Sequence, residues 1–144
     1  MSQHQTEPSD SVVNHLPFFI KKEQLIWAAL FAAQACISVA AGAFGAHALA
    51  DILDVKALSW WHTASQYLMY HALAGLIVAA LFVCLPSFQK ILAFFFIGNI
   101  LFAGSLYVMA LTGYTFLGII TPLGGLCYLV AWCSLVLCLC RYNP

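Results

Sequence analysis

Apolar residues fill most of this chain in long stretches, and the polar segments between them are short. From Ala57 to Gln89, and again from Ile91 to Cys140, the sequence contains no Asp, Glu, Lys or Arg. Only 7% of the 144 residues are charged, whereas soluble domains carry about 25%. This pattern predicts a protein whose surface is solvated mainly by lipid.

Four stretches are long enough to cross a membrane as helices. A bilayer-spanning helix takes about 20 predominantly apolar residues. Apolar and polar residues do not alternate along these stretches, which favours helices over a lipid-facing barrel. We therefore predict an all-α membrane protein, a bundle of four transmembrane helices. The predicted spans are Leu25–Ala50, Ser65–Leu85, Lys90–Leu111 and Phe116–Cys140.

The polar segments predict a simple domain organisation. Residues 1–20 include Gln, Ser, Asp, Pro and His, so we expect them to form a disordered polar tail. Residues 21–144 are expected to form one four-helix membrane domain. Between the first two spans, Asp51–Ala64 is expected to form a helical lead-in at the membrane interface, with its Leu and Trp side chains facing lipid.

The basic residues predict the orientation of the chain. Lys21 and Lys22 precede the first span, Lys90 lies between the second and third spans, and Arg141 follows the fourth. If the spans alternate in direction, these positions share one side of the membrane, and only Lys56 lies on the other. Because positive residues favour the cytoplasmic side, both termini are predicted to be cytoplasmic.

Polar side chains from all four spans are expected at a similar depth, in the outer leaflet. With a rise of about 1.5 Å per residue, His71 falls about two turns inside the start of the second predicted span. Tyr67 and His71 lie four residues apart and share a helix face, which we expect to point into the protein against the third or fourth helix. The candidate polar pocket comprises His47, Thr63, Tyr67, His71, Ser105, Tyr107 and Thr121.

Two interpretations of this polar group remain open. Ionisable groups within membrane spans are costly and suggest function, here a small outward-facing pocket for a proton, a metal or a lipid head group. The other interpretation is a set of hydrogen bonds that hold the helices together, which is the commoner use of polar side chains in membranes. We favour the second interpretation. Asn99 and Gln34, within the third and first spans, are also expected to form hydrogen bonds between helices.

Small residues predict where the helices approach one another closely. Glycine allows membrane helices to come into near contact, because it has no side chain to separate the backbones. The predicted helix-packing positions are Gly42, Gly45, Gly75, Gly104, Gly124 and Gly125.

The sequence contains no pattern that predicts a cofactor or a catalytic site. Two histidines in a helical bundle can ligate haem, but His47 and His71 are expected near the membrane surface, and glycine-lined helix contacts leave no room for a porphyrin. The histidines also lack the spacing of a zinc site, and the six cysteines include no Cys-x-x-Cys pair. Phosphate-binding loops and nucleophile motifs are absent. We therefore expect no haem, no bound metal and no enzymatic activity, and the net charge of zero argues against nucleic acid as a partner.

Several motifs together resemble one known family. The segment Gly42–Ala48 resembles the signature of the YgdD-like small bacterial membrane proteins (domain of unknown function 423), to which the eukaryotic transmembrane protein 256 is related. Similar blocks follow in the same order at Thr63–Leu73, Phe102–Tyr107 and Ile120–Gly125. The resemblance implies a multi-pass protein of the bacterial inner (plasma) membrane and carries no established activity with it.

Two classes of function are consistent with these features. One is a structural or accessory protein that packs against other membrane proteins, or against itself, within the lipid. The other is a carrier or channel for a small solute or proton, which acts as an oligomer through the polar pocket around His71. An outward cavity reaching past Gly75 would favour transport, and a closed bundle would favour the accessory role.

Overall fold

The computed structural model describes residues 22–81 and 88–141, and over these ranges the chain forms four long α-helices and no strand. A five-residue 3₁₀-helix, Thr115–Ile119, leads directly into the last helix. All four helices are long and apolar enough to cross a membrane, so the predicted all-α, four-helix membrane fold is confirmed. The predicted tail at residues 1–20 lies outside the described residues. The helices are α1 (Lys22–His47), α2 (Val55–Leu81), α3 (Phe88–Thr112) and α4 (Ile120–Arg141).

Helix α2 begins ten residues before the predicted start of the second span. Asp54 precedes it, and its side-chain Oδ1 accepts a hydrogen bond of 2.7 Å from the backbone N–H of Ala57, which is the arrangement of an N-terminal cap. The expected interfacial lead-in is therefore the first part of α2 itself. The midpoint of α2 falls at residue 68, so His71 lies only about 5 Å from the middle of the helix.

The helices pack in the order of the sequence. Helix α1 packs along α2, α2 along α3 and α3 along α4, whereas α1 and α4 share no comparable contact. In the most apolar part of each helix, 50% of the residues of α2 and 44% of those of α3 are buried, against 22% for α1 and for the segment containing α4. Helices α2 and α3 therefore form the centre, and α1 and α4 leave most of their surface to lipid.

We call the two ends of the bundle the basic end and the loop end. The basic end contains the start of α1, where Gln24 Nε2 donates a 3.1 Å hydrogen bond to the carbonyl of Ala79 on α2. The Glu23 carboxylate there accepts a hydrogen bond from the Gln89 side chain of α3. The loop end contains the α1–α2 and α3–α4 connections, where Gly113 ends α3 with a positive φ of 73°.

Side chains from several helices form the core near the basic end. Phe31 of α1 and Phe95 of α3 are fully buried there, together with Val78 of α2. Phe96 of α3 packs edge-on against Phe31, with ring centroids 6.2 Å apart. Phe94, in contrast, is 37% exposed, so the aromatic run on α3 has both core-facing and lipid-facing rings, as its helical spacing requires.

The predicted packing glycines fall into two groups. A Cβ atom at Gly75 would overlap the Phe31 ring, and one at Gly124 would overlap the backbone of Phe102 on α3. At Gly45 it would lie 2.6 Å from Trp61 Cδ1. These three glycines therefore stand where two helices approach most closely.

The other predicted glycines do not mark such contacts. At Gly42 and Gly104 a Cβ atom would meet no other group within 4 Å, and at Gly125 it would only touch the Phe102 ring at 3.9 Å. Gly98, which the sequence did not single out, is closely packed, since a Cβ there would lie 2.6 Å from Tyr128 Cδ1. Glycine on the lipid-facing side of a helix looks the same in the sequence as glycine at a contact.

Candidate functional site

A first polar network, the serine network, joins α1, α2 and α3 towards the loop end. Ser38 Oγ of α1 donates a 2.7 Å hydrogen bond to the carbonyl of Ser65 on α2. Ser65 Oγ donates to the carbonyl of Trp61 at 3.0 Å, so its contact of 2.9 Å with Tyr107 of α3 is a hydrogen bond donated by the phenol. Trp61 Nε1 adds a bond of 2.7 Å to the carbonyl of Ala41 on α1.

A second polar contact joins α3 to the first turn of α4. Ser105 Oγ donates to the carbonyl of Phe102 at 3.0 Å. The hydroxyl of Thr121 lies 2.7 Å from Ser105 Oγ and donates to it, because the single hydroxyl hydrogen of Ser105 is already used. This pair fixes the start of α4 against α3, just after the 3₁₀-helix.

A third network, the amide network, lies at the middle of the bundle and joins α1, α3 and α4. Asn99 Nδ2 donates a 2.8 Å hydrogen bond to Gln34 Oε1, and Tyr128 Oη donates a 2.8 Å bond to Asn99 Oδ1. Asn99 is only 1% exposed. Gln34 and Asn99 both lie within one residue of the midpoints of their helices, so this network occupies the depth at which a bilayer excludes water most strongly. The expectation that both amides bond between helices is confirmed.

His71 connects α2 to this amide network by stacking rather than by a hydrogen bond. Its ring lies parallel to the Tyr128 ring, with centroids 3.4 Å apart and an interplanar angle of 4°. Its Nδ1 lies 2.8 Å from the carbonyl of Tyr67. Because a carbonyl only accepts hydrogen bonds, Nδ1 carries the hydrogen. His71 therefore faces α4, in the protein interior, as predicted. Tyr67, which was predicted to face the interior with it, is 40% exposed.

The predicted pocket residues do not form a single pocket. Tyr107 belongs to the serine network, Ser105 pairs with Thr121, and His71 lies deeper with Tyr128, while Tyr67 stacks on Phe102 with centroids 4.7 Å apart. The common outer-leaflet depth expected for them fails for His71, because α2 begins earlier than predicted.

Two of the predicted pocket residues lie apart from these networks. Thr63 bonds within its own helix, with its hydroxyl 2.9 Å from the carbonyl of Ser59. His47 is exposed at the end of α1, beside a surface groove of about 280 Å³ that is also lined by Ala40, Ala43, Phe44 and Ala48. His47 points away from the core because it lies two residues after the buried Gly45, which places it on the opposite side of α1.

Ser65 and Tyr128 were not among the residues predicted for the polar pocket. Ser65 has a signal in the sequence, because serines within membrane helices commonly form hydrogen bonds to neighbouring helices. For Tyr128, the signal is its spacing of four residues from Gly124, which places both on one face of α4. Neither signal shows which partner the side chain reaches, since that depends on the rotation of each helix.

The interior shows internally paired polar groups and no metal cluster within the ranges that the structure describes. No buried side-chain nitrogen or oxygen there lacks a hydrogen-bond partner. The same residues include no group of three or more His, Cys, Asp or Glu side chains that could hold a metal ion. Chemically, this arrangement ties helices together by neutral hydrogen bonds.

Comparisons with known proteins agree with the family that the motifs indicated. Residues 41–125 match the model of a family described as "Protein of unknown function (DUF423)". The chain is 40% identical over 116 residues to the UPF0382 membrane protein YwdK of Bacillus subtilis, which covers 78% of this chain and 94% of that protein. No solved structure matches the chain.

Relatives from other bacteria show a similar degree of identity. A UPF0382 membrane protein of Haemophilus influenzae is 43% identical over 98 residues, covering 67% of this chain and 79% of that protein. The UPF0382 inner membrane protein YgdD of Escherichia coli is 38% identical, covering 67% of this chain and 75% of its own length. The chain therefore belongs to the DUF423 family and is a multi-pass protein of the bacterial inner membrane.

Proposed function

We propose that this protein is a structural or accessory component of the membrane, a rigid bundle that packs against a second copy of itself or against other membrane proteins. The observation that carries this proposal is the internal pairing of the polar side chains. The serine network, the Ser105–Thr121 pair and the amide network together bond α1, α2, α3 and α4 to one another. Polar groups used in this way stabilise one arrangement of the helices.

The exposed side of α1 is the surface that we assign to such packing. Small residues recur on it at alternating intervals of four and three, which keeps them on one face of the helix, and all of them are exposed. Small residues allow another membrane helix to approach closely, and the groove beside His47 continues the same face. The face consists of Ala29, Ala33, Cys36, Ala40 and Ala43.

A carrier or channel acting through His71 has less support. Tyr128 covers one face of the His71 ring at 3.4 Å. Gly75 and Gly124 hold neighbouring helices so close that a single methyl group would overlap Phe31 and Phe102. A solute path past His71 would need these helices to separate, and the separation would break the amide network.

The packing face can be tested by photo-crosslinking in the membrane. With photoreactive benzoyl-phenylalanine in place of Cys36, we expect illumination to give a discrete crosslinked product, whereas the same group at the exposed Cys133 on α4 should give only diffuse lipid adducts. A product of twice the chain mass identifies a second copy, and any other discrete mass identifies a different membrane protein.

The Ala40→Leu substitution tests this face, and Ala80→Leu is its matched control. Ala40→Leu adds a large side chain within the small-residue face, so it should remove most of the crosslinked product, whereas Ala80→Leu, at an exposed position on α2, should leave it unchanged. The proposal fails if position 36 gives no more product than position 133, or if Ala40→Leu has no effect on the yield.

We also propose that both termini face the cytoplasm, on the basis of the basic residues at the basic end of the bundle. Of the Lys and Arg residues that the structure describes, Lys22, Lys90 and Arg141 lie there, whereas Lys56 lies near the loop end, with its Nζ 5.2 Å from the centre of the Trp60 ring. A reporter fused after Arg141 should be active in the cytoplasm, and one inserted beside Lys56 should be active in the periplasm. The reverse activities would place the loop end in the cytoplasm.

A further inference from the structure

His71 keeps one ring nitrogen unused in the middle of the membrane. Its Nδ1 donates to the carbonyl of Tyr67, so the neutral ring has a lone pair on Nε2 that can accept a hydrogen bond. Within the two ranges that the structure describes, no donor reaches Nε2. This nitrogen is therefore an acceptor with no protein partner.

The unused nitrogen lies at the accessible edge of the ring. His71 as a whole is only 7% exposed, yet no buried side-chain nitrogen in the described ranges lacks a partner. Nε2 has no hydrogen-bond partner, so it is not one of the fully buried nitrogens. The exposed part of the His71 ring therefore includes Nε2.

Several aromatic rings surround His71. Tyr67 lies 6.0 Å from His71 between ring centroids, and Trp132 of α4 lies 6.3 Å away. These rings are 40% and 43% exposed, whereas Tyr128 and Phe95, the other rings near His71, are buried. A planar molecule arriving from the lipid between α2 and α4 would therefore meet a hydrogen-bond acceptor flanked by two partly exposed aromatic surfaces.

The depth of His71 limits what can bind to it. The ring lies about 5 Å from the middle of α2, while lipid head groups begin about 15 Å from the centre of the bilayer. Acyl chains have no hydrogen-bond donor, and water is scarce at this depth. An unpaired acceptor in such surroundings costs free energy, which a hydroxyl group carried on an apolar molecule would recover.

We propose that His71 Nε2 accepts a hydrogen bond from the hydroxyl group of a lipophilic aromatic molecule, a phenol or a quinol, which binds between Tyr67 and Trp132. The hydroxyl donates to Nε2, and the ring of the ligand contacts the two aromatic side chains, whose stacking favours planar molecules. The site requires the Nδ1-protonated form of His71, which the Tyr67 carbonyl maintains. It is independent of the packing face on α1, because it lies on α2 and α4.

Duroquinol, a small quinol, is a suitable probe for the purified protein in lipid nanodiscs under anaerobic conditions. We expect saturable binding that quenches tryptophan fluorescence, with the quenching lost in Trp132→Phe. Duroquinone and the dimethyl ether of duroquinol have the same four ring methyl groups but no hydroxyl, so both should bind at least about tenfold more weakly. Durenol, a phenol with one hydroxyl, should bind about as tightly as duroquinol, since Nε2 needs one donor.

Two variants and one spectrum test the role of His71 itself. His71→Phe keeps a flat ring against Tyr128 but removes the acceptor, so the dissociation constant for duroquinol should rise at least about tenfold. His62→Phe, at an exposed position on the same helix, should leave it unchanged. In the wild-type protein, duroquinol should shift the ¹⁵N resonance of His71 Nε2 towards that of a hydrogen-bonded acceptor.

The proposal is overturned if the ether or the quinone binds as tightly as duroquinol, since ring contacts alone would then explain binding. It is also overturned if His71→Phe binds duroquinol unchanged. Should His71→Phe fail to fold, the ¹⁵N spectrum of the wild-type protein decides, because a saturating concentration that leaves the Nε2 resonance in place excludes this hydrogen bond.

Discussion

Replacing Gly124 with alanine is expected to lower the free energy of unfolding of the bundle by about 3 kcal/mol, at the upper end of the range for overpacked sites. The added methyl group would overlap the backbone nitrogen and Cα of Phe102 on α3. A backbone cannot rotate away as a flexible side chain can, so α3 and α4 must separate. Separation would also strain the Ser105–Thr121 bond nearby.

Gly104→Ala provides the matched control for this prediction. Gly104 also lies inside a helix, on α3, but a methyl group there would meet no other group within 4 Å. Because alanine favours a helix over glycine, this variant should be as stable as the wild type or slightly more stable. Unfolding in mixed micelles, followed by circular dichroism, measures both. Equal losses of stability in the two variants would show that α3 and α4 are not in near contact at Gly124.

Replacing Asn99 with leucine is expected to lower the free energy of unfolding by about 1–3 kcal/mol. Each hydrogen bond between membrane helices contributes about 0.6 kcal/mol on average and up to about 1.7 kcal/mol, and Asn99 makes two of them, to Gln34 and to Tyr128. The Tyr128 hydroxyl would also be left without its acceptor in a buried position, which adds a cost of its own. Unfolding in mixed micelles, followed by circular dichroism, measures this loss of stability as well.

Variants that remove fewer interactions help to divide the loss of stability in Asn99→Leu between its two hydrogen bonds. Tyr128→Phe removes only the bond to Asn99 and keeps the ring that stacks on His71, so it should cost less than Asn99→Leu. Thr112→Val removes two hydrogen bonds at an exposed position, one donated to Val108 within α3 and one accepted from the backbone N–H of Tyr114. It should be close to neutral, because exposed hydrogen bonds contribute little. The role assigned to the amide network would be contradicted if Asn99→Leu were no more destabilising than Thr112→Val.

The four helices could be predicted from the sequence because length and hydropathy alone decide whether a segment can cross a bilayer. The start of α2 could not be predicted from hydropathy, because His62 and Thr63 interrupt the apolar run. The signal was the Asp54 side chain, which caps a helix that begins at Val55. Missing that cap put His71 too close to the membrane surface, and the prediction of one shared pocket depended on that depth.

Helix rotation is the main feature that the sequence did not reveal. In a soluble helix, the apolar face identifies the core, but these helices are apolar on every side because lipid replaces water as the solvent. Gly104 and Gly124 therefore look equivalent in the sequence, although only Gly124 lies at a contact. Gln34 and Asn99 could be identified as residues that bond between helices, because amides are rare in lipid, but their mutual pairing required the fold.

The distribution of the polar bonds has a consequence for how the protein assembles. The chain consists of two hairpins, α1–α2 and α3–α4. In the serine network, Ser38 bonds to Ser65 within the first hairpin, and Ser65 bonds to Tyr107 of the second. In the amide network, Tyr128 bonds to Asn99 within the second hairpin, and Asn99 bonds to Gln34 of the first.

Each hairpin can therefore form its internal hydrogen bonds as soon as it enters the membrane. The polar groups that remain unpaired then determine how the two hairpins recognise each other. A correct partner must present Tyr107 to Ser65 and Gln34 to Asn99 at the same time. These contacts lie on different levels along the membrane normal, so a hairpin displaced by one helical turn would lose both. The two networks together specify the register in which the halves of the molecule join.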